Sequence, residues 1–184
     1  LERKKEEIEA KVNTMSDFVK MEYLESCLKI NLDINVCKFC YKKLSELYEK
    51  KTMYSEAAKY IAKFGEVCVD TREKRGAIIK EAELLIKAGL YDPAIYLYKK
   101  AMSSADTTGK FEIKRNMILF YKQEAAILEK SNRGTAALRI YEKIINYVVD
   151  DEKNEIKRKM LKLYQNLGRV NEYLKLKAEL EKVR

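Results

Sequence analysis

Four cysteines and no histidine set the limits on what chemistry this chain can do. Without histidine there is no imidazole base, no imidazole metal ligand and no histidine-based triad. All four thiols, Cys27, Cys37, Cys40 and Cys68, fall in residues 1–70. Only Cys37 and Cys40 stand at a metal-ligand spacing, one helical turn apart. Suppose Cys27 ends one helix, Cys37 and Cys40 begin the next, and Cys68 ends a third running antiparallel to it. All four thiols then meet at one end of a helical bundle. A zinc ion held there by four thiolates would pin the N-terminal helix onto the helices after it. The plainer alternatives are four small buried side chains in a reducing compartment, or a disulfide. Carboxylate pairs such as Glu6-Glu7 and Asp150-Asp151 read as solvated helix ends rather than as an acid–base couple. Neither G-x-x-x-x-G-K-[ST] nor G-x-G-x-x-G, the phosphate-cradling glycine motifs, is present. The chain is read as a non-enzyme, with zinc the one cofactor considered.

A second group that could do chemistry is basic. Lys157, Arg158, Lys159 and Lys162 lie close together. The net charge of +9 is unevenly spread: residues 1–70 are balanced, and residues 71–184 carry the whole surplus. Such an end attracts phosphate backbones, acidic lipid surfaces or acidic peptides. Against nucleic acid, the cations are interleaved with glutamates and no run of stacking aromatics accompanies them.

These residues need elements to hold them. With 47% hydrophobic and 36% charged residues, the composition is that of a folded, highly charged chain. No apolar run is long enough for a membrane span. The opening Leu1-Glu2-Arg3-Lys4-Lys5 is too charged for a signal peptide and lacks an initiator methionine. A cytoplasmic chain is expected, trimmed or part of a longer one.

Apolar residues recur at helical spacing almost throughout. Ile8, Val12, Met15 and Val19 form one stripe, and Ala57, Ala58, Ile61 and Phe64 another. No sustained two-residue alternation occurs, so no sheet is expected. The breaks are short and carry capping chemistry. Asp70-Thr71-Arg72-Glu73 has capping-box spacing. Asp92 before the only proline, Pro93, predicts an N-cap followed by the first helical residue. Gly89 and Gly168 suit left-handed turns that end helices, and Asn132 with Gly134 serves similarly. The pattern predicts nine helices: 2–30, 34–50, 54–69, 71–88, 92–105, 110–130, 134–149, 151–167 and 170–183. The connections force antiparallel neighbours.

The hairpins repeat. Ala57, Ala94, Ala137 and Tyr173 occupy the same place early in the second helix of each pair, followed by Ile61, Tyr98, Tyr141 and Lys177 four residues on. Intervals of about 36 to 43 residues, two helices each, mark an α-solenoid. The second pair, with Ala82, Leu85, Gly89, Tyr91, Ala94, Tyr98 and Ala101, resembles a tetratricopeptide repeat (TPR). The expected fold is all-α: one domain, 1–184, forming a right-handed superhelix. It comprises a long N-terminal helix (1–30) and about four TPR-like antiparallel hairpins, at about 34–69, 71–105, 110–149 and 151–183. Tyr98, Tyr141 and Leu128 are expected in its core.

The resemblance implies a concave groove lined by first-helix residues. Carried onto this chain, the groove positions are Lys42, Glu46 and Glu49; Ile79, Glu83 and Ile86; Lys122, Ala126 and Glu129; Arg158, Lys162 and Gln165. Lys42, Lys122 and Arg158 would suit an acidic or amphipathic protein segment. The lysine–asparagine pattern that clamps a C-terminal carboxylate in some family members is absent. The function this implies is a non-catalytic scaffold or adaptor for a partner peptide or helix. A nucleic-acid or ribosome-associated binder is the first alternative. A trafficking-type adaptor is the second, since the chain also looks loosely similar to soluble NSF attachment proteins and coat subunits. No membrane insertion is expected, and the oligomeric state is left open.

Overall fold

The computed structural model describes residues 2–181. Residue 1 of the predicted N-terminal segment, and residues 182 and 183 of the last predicted hairpin, lie outside it. Among the described residues the protein is all-helical. Its elements are α1 (Lys5–Asn13), α2 (Asp17–Cys27), α3 (Ile34–Lys50), α4 (Tyr54–Val67), α5 (Thr71–Lys87), α6 (Tyr91–Ser103), α7 (Thr107–Lys130), α8 (Gly134–Ile144), α9 (Asp150–Asn166) and α10 (Val170–Glu181). None of these helices is long and apolar enough to cross a membrane.

Four hairpin turns share one hydrogen-bond pattern. At the end of α5, Gly89 N–H donates to Ile86 O and Leu90 N–H to Leu85 O, at 2.9 and 2.8 Å. Gly89 sits at φ +80°. This is the Schellman arrangement, which returns two orphan carbonyls to backbone donors. Gly168 and Arg169 repeat it after α9, and Asn132 and Arg133 after α7. Thr52 and Met53 repeat it after α3, with Thr52 at φ +60°. Glycine and asparagine made three of these turns readable. Threonine, β-branched and strained in that conformation, makes the fourth, at the break expected between helices 34–50 and 54–69.

The helix starts follow local chemistry with two shifts. The Asp70 carboxylate accepts from Glu73 N–H at 2.7 Å, as the capping box predicts. Glu73, however, reaches across to Lys38 rather than back to its own cap. Pro93 falls on the third residue of α6, with Leu90 as N-cap, so Asp92 is inside the helix and not its cap. The displacement costs little, because proline lacks only an N–H that has no intrahelical acceptor in the first turn.

The single N-terminal helix predicted over 1–30 is instead two. Thr14 and Ser16 break it. The Thr14 hydroxyl donates to Lys11 O at 2.8 Å, and Ser16 is extended at φ −72°, ψ 157° as the N-cap of α2. Such side chains offer the backbone an alternative to continuing the helix. The predicted stripe fails past the break. Ile8 and Val12 are buried and Val19 is exposed, while Met21, Leu24 and Cys27 supply the buried face of α2.

Where the sequence reading draws one domain, the chain divides into two compact units, Leu1–Lys110 and Phe111–Arg184. In the first unit α1 and α2 pack on α3, and α3, α4, α5 and α6 pack in succession. One apolar cluster joins Ile8, Val12, Leu24, Cys27, Cys40 and Leu44, and a second joins Ala57, Ile61, Phe64, Cys68, Ala77 and Leu84. Ser45 Oγ, buried, donates to Ala57 O at 2.9 Å across the α3–α4 contact. Tyr48 and Tyr60 stack with centroids 5.3 Å apart, and both hydroxyls donate to Glu25 Oε1, which ties α2 to the first hairpin. In the second unit α9 packs with α8 and α10. The repeat anchors Ala57, Ala94 and Ala137 are all fully buried, and so are Tyr98, Tyr121 and Tyr141. Leu128 is half-buried.

Candidate functional site

In the first unit the predicted groove residues of α3 do gather. Lys42, Glu46 and Glu49 project from α3 into a cleft of about 350 Å³, faced by Gly76 and Lys80 of α5, with Ile61 and Phe64 of α4 also lining it. Glu49 is the electrostatic centre. Lys80 and Lys87 both donate to it, at 2.9 Å each. Burial pushes the Glu49 carboxyl up, but the two ammonium groups more than offset it and hold it below the usual glutamate value. Glu83, half-buried one turn from Lys80 and Lys87, is pushed up by burial, which those lysines offset only in part. Lys42 is exposed and has no ion-pair partner among the described residues. Ile79 is half-buried. Ile86 is only 2% exposed, so it belongs to the core and is unavailable as a groove wall.

Two glycines beside this cleft differ in kind. Gly65, in α4, is where a Cβ would lie 3.1 Å from Ala77 Cβ, so its bareness lets α4 and α5 approach. Gly76, inside α5, has nothing within 4 Å of where its Cβ would be.

In the second unit Lys122 is half-buried and donates to Glu152 at 3.0 Å. Glu129 accepts from the Tyr141 hydroxyl at 2.5 Å and so serves the core, while Ala126 is exposed. Arg158, Lys162 and Gln165 are exposed on α9. The basic patch is partly neutralised. Lys157 donates to Glu179 of α10 at 3.2 Å, and Lys159 pairs with Glu155 one turn away. Only Arg158 and Lys162 of the four lack a partner among the described residues.

Sequence reasoning missed a second cleft, of about 400 Å³, in this unit. Phe111, Arg115 and Leu119 of α7 line it with Tyr147 and Val149 from the α8–α9 connection. The signal was present but unread. The buried stripe of α7 is Ile113, Met117, Tyr121 and Ala125. Phe111 and Leu119 fall off that stripe, and they are 71% and 51% exposed.

The four cysteines are free thiols. Cys27 and Cys40 share the first apolar cluster, and Cys68 lies in the second. The Cys68 thiol donates to Phe64 O at 3.1 Å, and Cys37 makes a long contact with Leu32 O at 3.9 Å. Among the described residues no three cysteine, aspartate or glutamate side chains are grouped to hold a metal ion. Cys27 closes α2, Cys37 and Cys40 lie in the first two turns of α3 and Cys68 caps α4, as expected, but among the described residues these helix ends do not bring the thiols into one ligand set. Burial pushes Cys40 up to about 12 and Cys68 up to about 11, the latter with help from Glu73. Such thiols stay protonated at neutral pH, which does not suit a nucleophile.

No protein-family model matches the sequence, and no curated protein matches it. Among solved structures, the chain is similar to BtubC (BKLC) from P. vanneervenii, with a TM-score of 0.41 and 10% identity over 91% of this chain and 73% of that one. At that distance the likeness carries neither a repeat family nor an activity.

Proposed function

We propose that this protein is a non-catalytic scaffold of TPR-like hairpins that holds a segment of a partner polypeptide in the cleft between α3 and α5. The observation that carries the reading is Gly76. A glycine inside a helix costs roughly 1 kcal/mol relative to alanine. Gly65 has a packing reason for being bare. Gly76 has none, because no neighbour occupies the Cβ position. It leaves the α5 backbone bare along a cleft that Lys42, Glu46 and Lys80 also line. A bare backbone in a concave, charged setting suits close approach by another chain.

Nucleic-acid binding has weaker support, since two of the four cations in the basic patch are already matched by Glu155 and Glu179. The test is selection of a phage-displayed random-peptide library on the whole protein, followed by fluorescence anisotropy with the enriched peptides. Peptides that occupy this cleft should lose at least about tenfold in affinity with Gly76→Leu or Lys42→Glu. Enriched peptides that bind both variants as well as the parent would overturn the assignment.

A further inference from the structure

The second cleft points to a specific kind of occupant. Along α7, Phe111, Arg115, Ile118 or Leu119, and Lys122 recur at helical spacing, so they form a face distinct from the buried one. Phe111, Leu119 and Val149 are 71%, 51% and 68% exposed, and they stand together around one concavity. Apolar side chains scattered singly need no explanation, but apolar side chains grouped around a cleft do.

Charge supplies the rest. Lys122 is matched by Glu152 at 3.0 Å. Lys114 and Arg115, which line the same cleft, are exposed and form no ion pair among the described residues. The cleft thus combines apolar walls with uncompensated cations among its lining residues. That is the complement of an amphipathic segment with one large apolar anchor and carboxylates about one helical turn away. Arginine is well suited to such pairing, because its planar donors take a carboxylate two bonds at a time.

We propose that this α7 cleft is a second docking site, for an acidic amphipathic polypeptide segment whose apolar side chain seats between Leu119 and Val149 while its carboxylates pair with Lys114 and Arg115. It rests on the scaffold reading only in that the occupant is a polypeptide. Its residues and those of the α3–α5 cleft do not overlap, so the two readings fail separately.

The experiment is subtractive selection of a phage-displayed random-peptide library, in which peptides that also bind Arg115→Glu/Leu119→Ser protein are discarded. Circular dichroism first checks that this variant keeps the parent's helix content and unfolding midpoint, which is expected because both side chains are exposed. If the variant is misfolded, Arg115→Ala and Leu119→Ala singly take its place. Enriched sequences should pair a leucine or aromatic residue with aspartate or glutamate. They should bind the parent in the micromolar range and weaken about tenfold with each single change, while ignoring Gly76→Leu. Four results would overturn the proposal. One is no enrichment, and another is enriched peptides without carboxylates. The third is light scattering in which the parent is a dimer and Leu119→Ser a monomer, which would make a second copy the occupant. The last is mixed-sequence RNA that binds through Lys114 and Arg115 with a steep salt slope and no dependence on Leu119.

Discussion

Replacing Gly76 by alanine should stabilise the protein, and replacing Gly65 by alanine should not. Both glycines lie inside helices, α5 and α4, so both changes gain the same intrinsic helix propensity, about 1 kcal/mol. What separates them is the space for the new methyl. At Gly76 nothing lies within 4 Å, so the propensity gain appears undiminished. At Gly65 the methyl would meet Ala77 Cβ at 3.1 Å, in a buried helix–helix contact. Two packed helices must then move apart by a few tenths of an ångström. Overpacking of this kind costs roughly 1–3 kcal/mol, which equals or exceeds the gain. The expected result is a Gly76→Ala melting temperature higher by roughly 2–4 °C, taking the chain as one melting unit of its size, and a Gly65→Ala value at or below the parent. Thermal unfolding followed by far-UV circular dichroism measures both. If Gly76→Ala gains nothing, the claim that its cost has no packing return is wrong. If Gly65→Ala gains as much as Gly76→Ala, the geometric distinction on which the cleft assignment rests is refuted.

Thr52, exposed at φ +60° in the turn after α3, should be improved by glycine. Relief of the left-handed strain, about 1–2 kcal/mol, outweighs the roughly 0.4–1 kcal/mol that glycine's freedom in the unfolded chain costs, so Thr52→Gly should raise the urea midpoint and Gly89→Ala should lower it. Glu49 should make stability depend on acid. Its folded-state pKa lies below the ordinary 4.5, so its contribution is present above 4.5 and is lost as pH falls through the folded value. Glu49→Gln should therefore lower stability by about 1 kcal/mol at neutral pH, a modest figure because Lys80 and Lys87 are partly exposed. The two unfolding midpoints should converge as pH falls through the folded value, where Glu49 loses its charge. A gap that persists there would assign the loss to packing.

Much of this protein was legible one segment at a time. The helix-ending turns at Gly89, Asn132 and Gly168, the cap at Asp70, and the buried anchors Ala57, Ala94 and Ala137 all follow from interactions within a few residues or from the helical period itself. Local chemistry also misled where it was ambiguous. Thr14 and Ser16 can sit in a helix or break one, and only the packing of α1 and α2 against α3 settles which. The candidate sites divide in the same way. Lys42, Glu46 and Glu49 share a face because α3 is a helix, which the sequence alone determined. That Glu49 is taken by Lys87, 38 residues away, and that Cys27 and Cys40 share one apolar cluster while Cys68 lies in another, depended on where neighbouring helices came to rest. Whether a side chain is spent on its own fold or left open to another molecule is decided by atoms distant in sequence. That Gly76 has no neighbour at its Cβ position and that Phe111 stands beside a cleft could therefore be recognised only once the surrounding helices were in place.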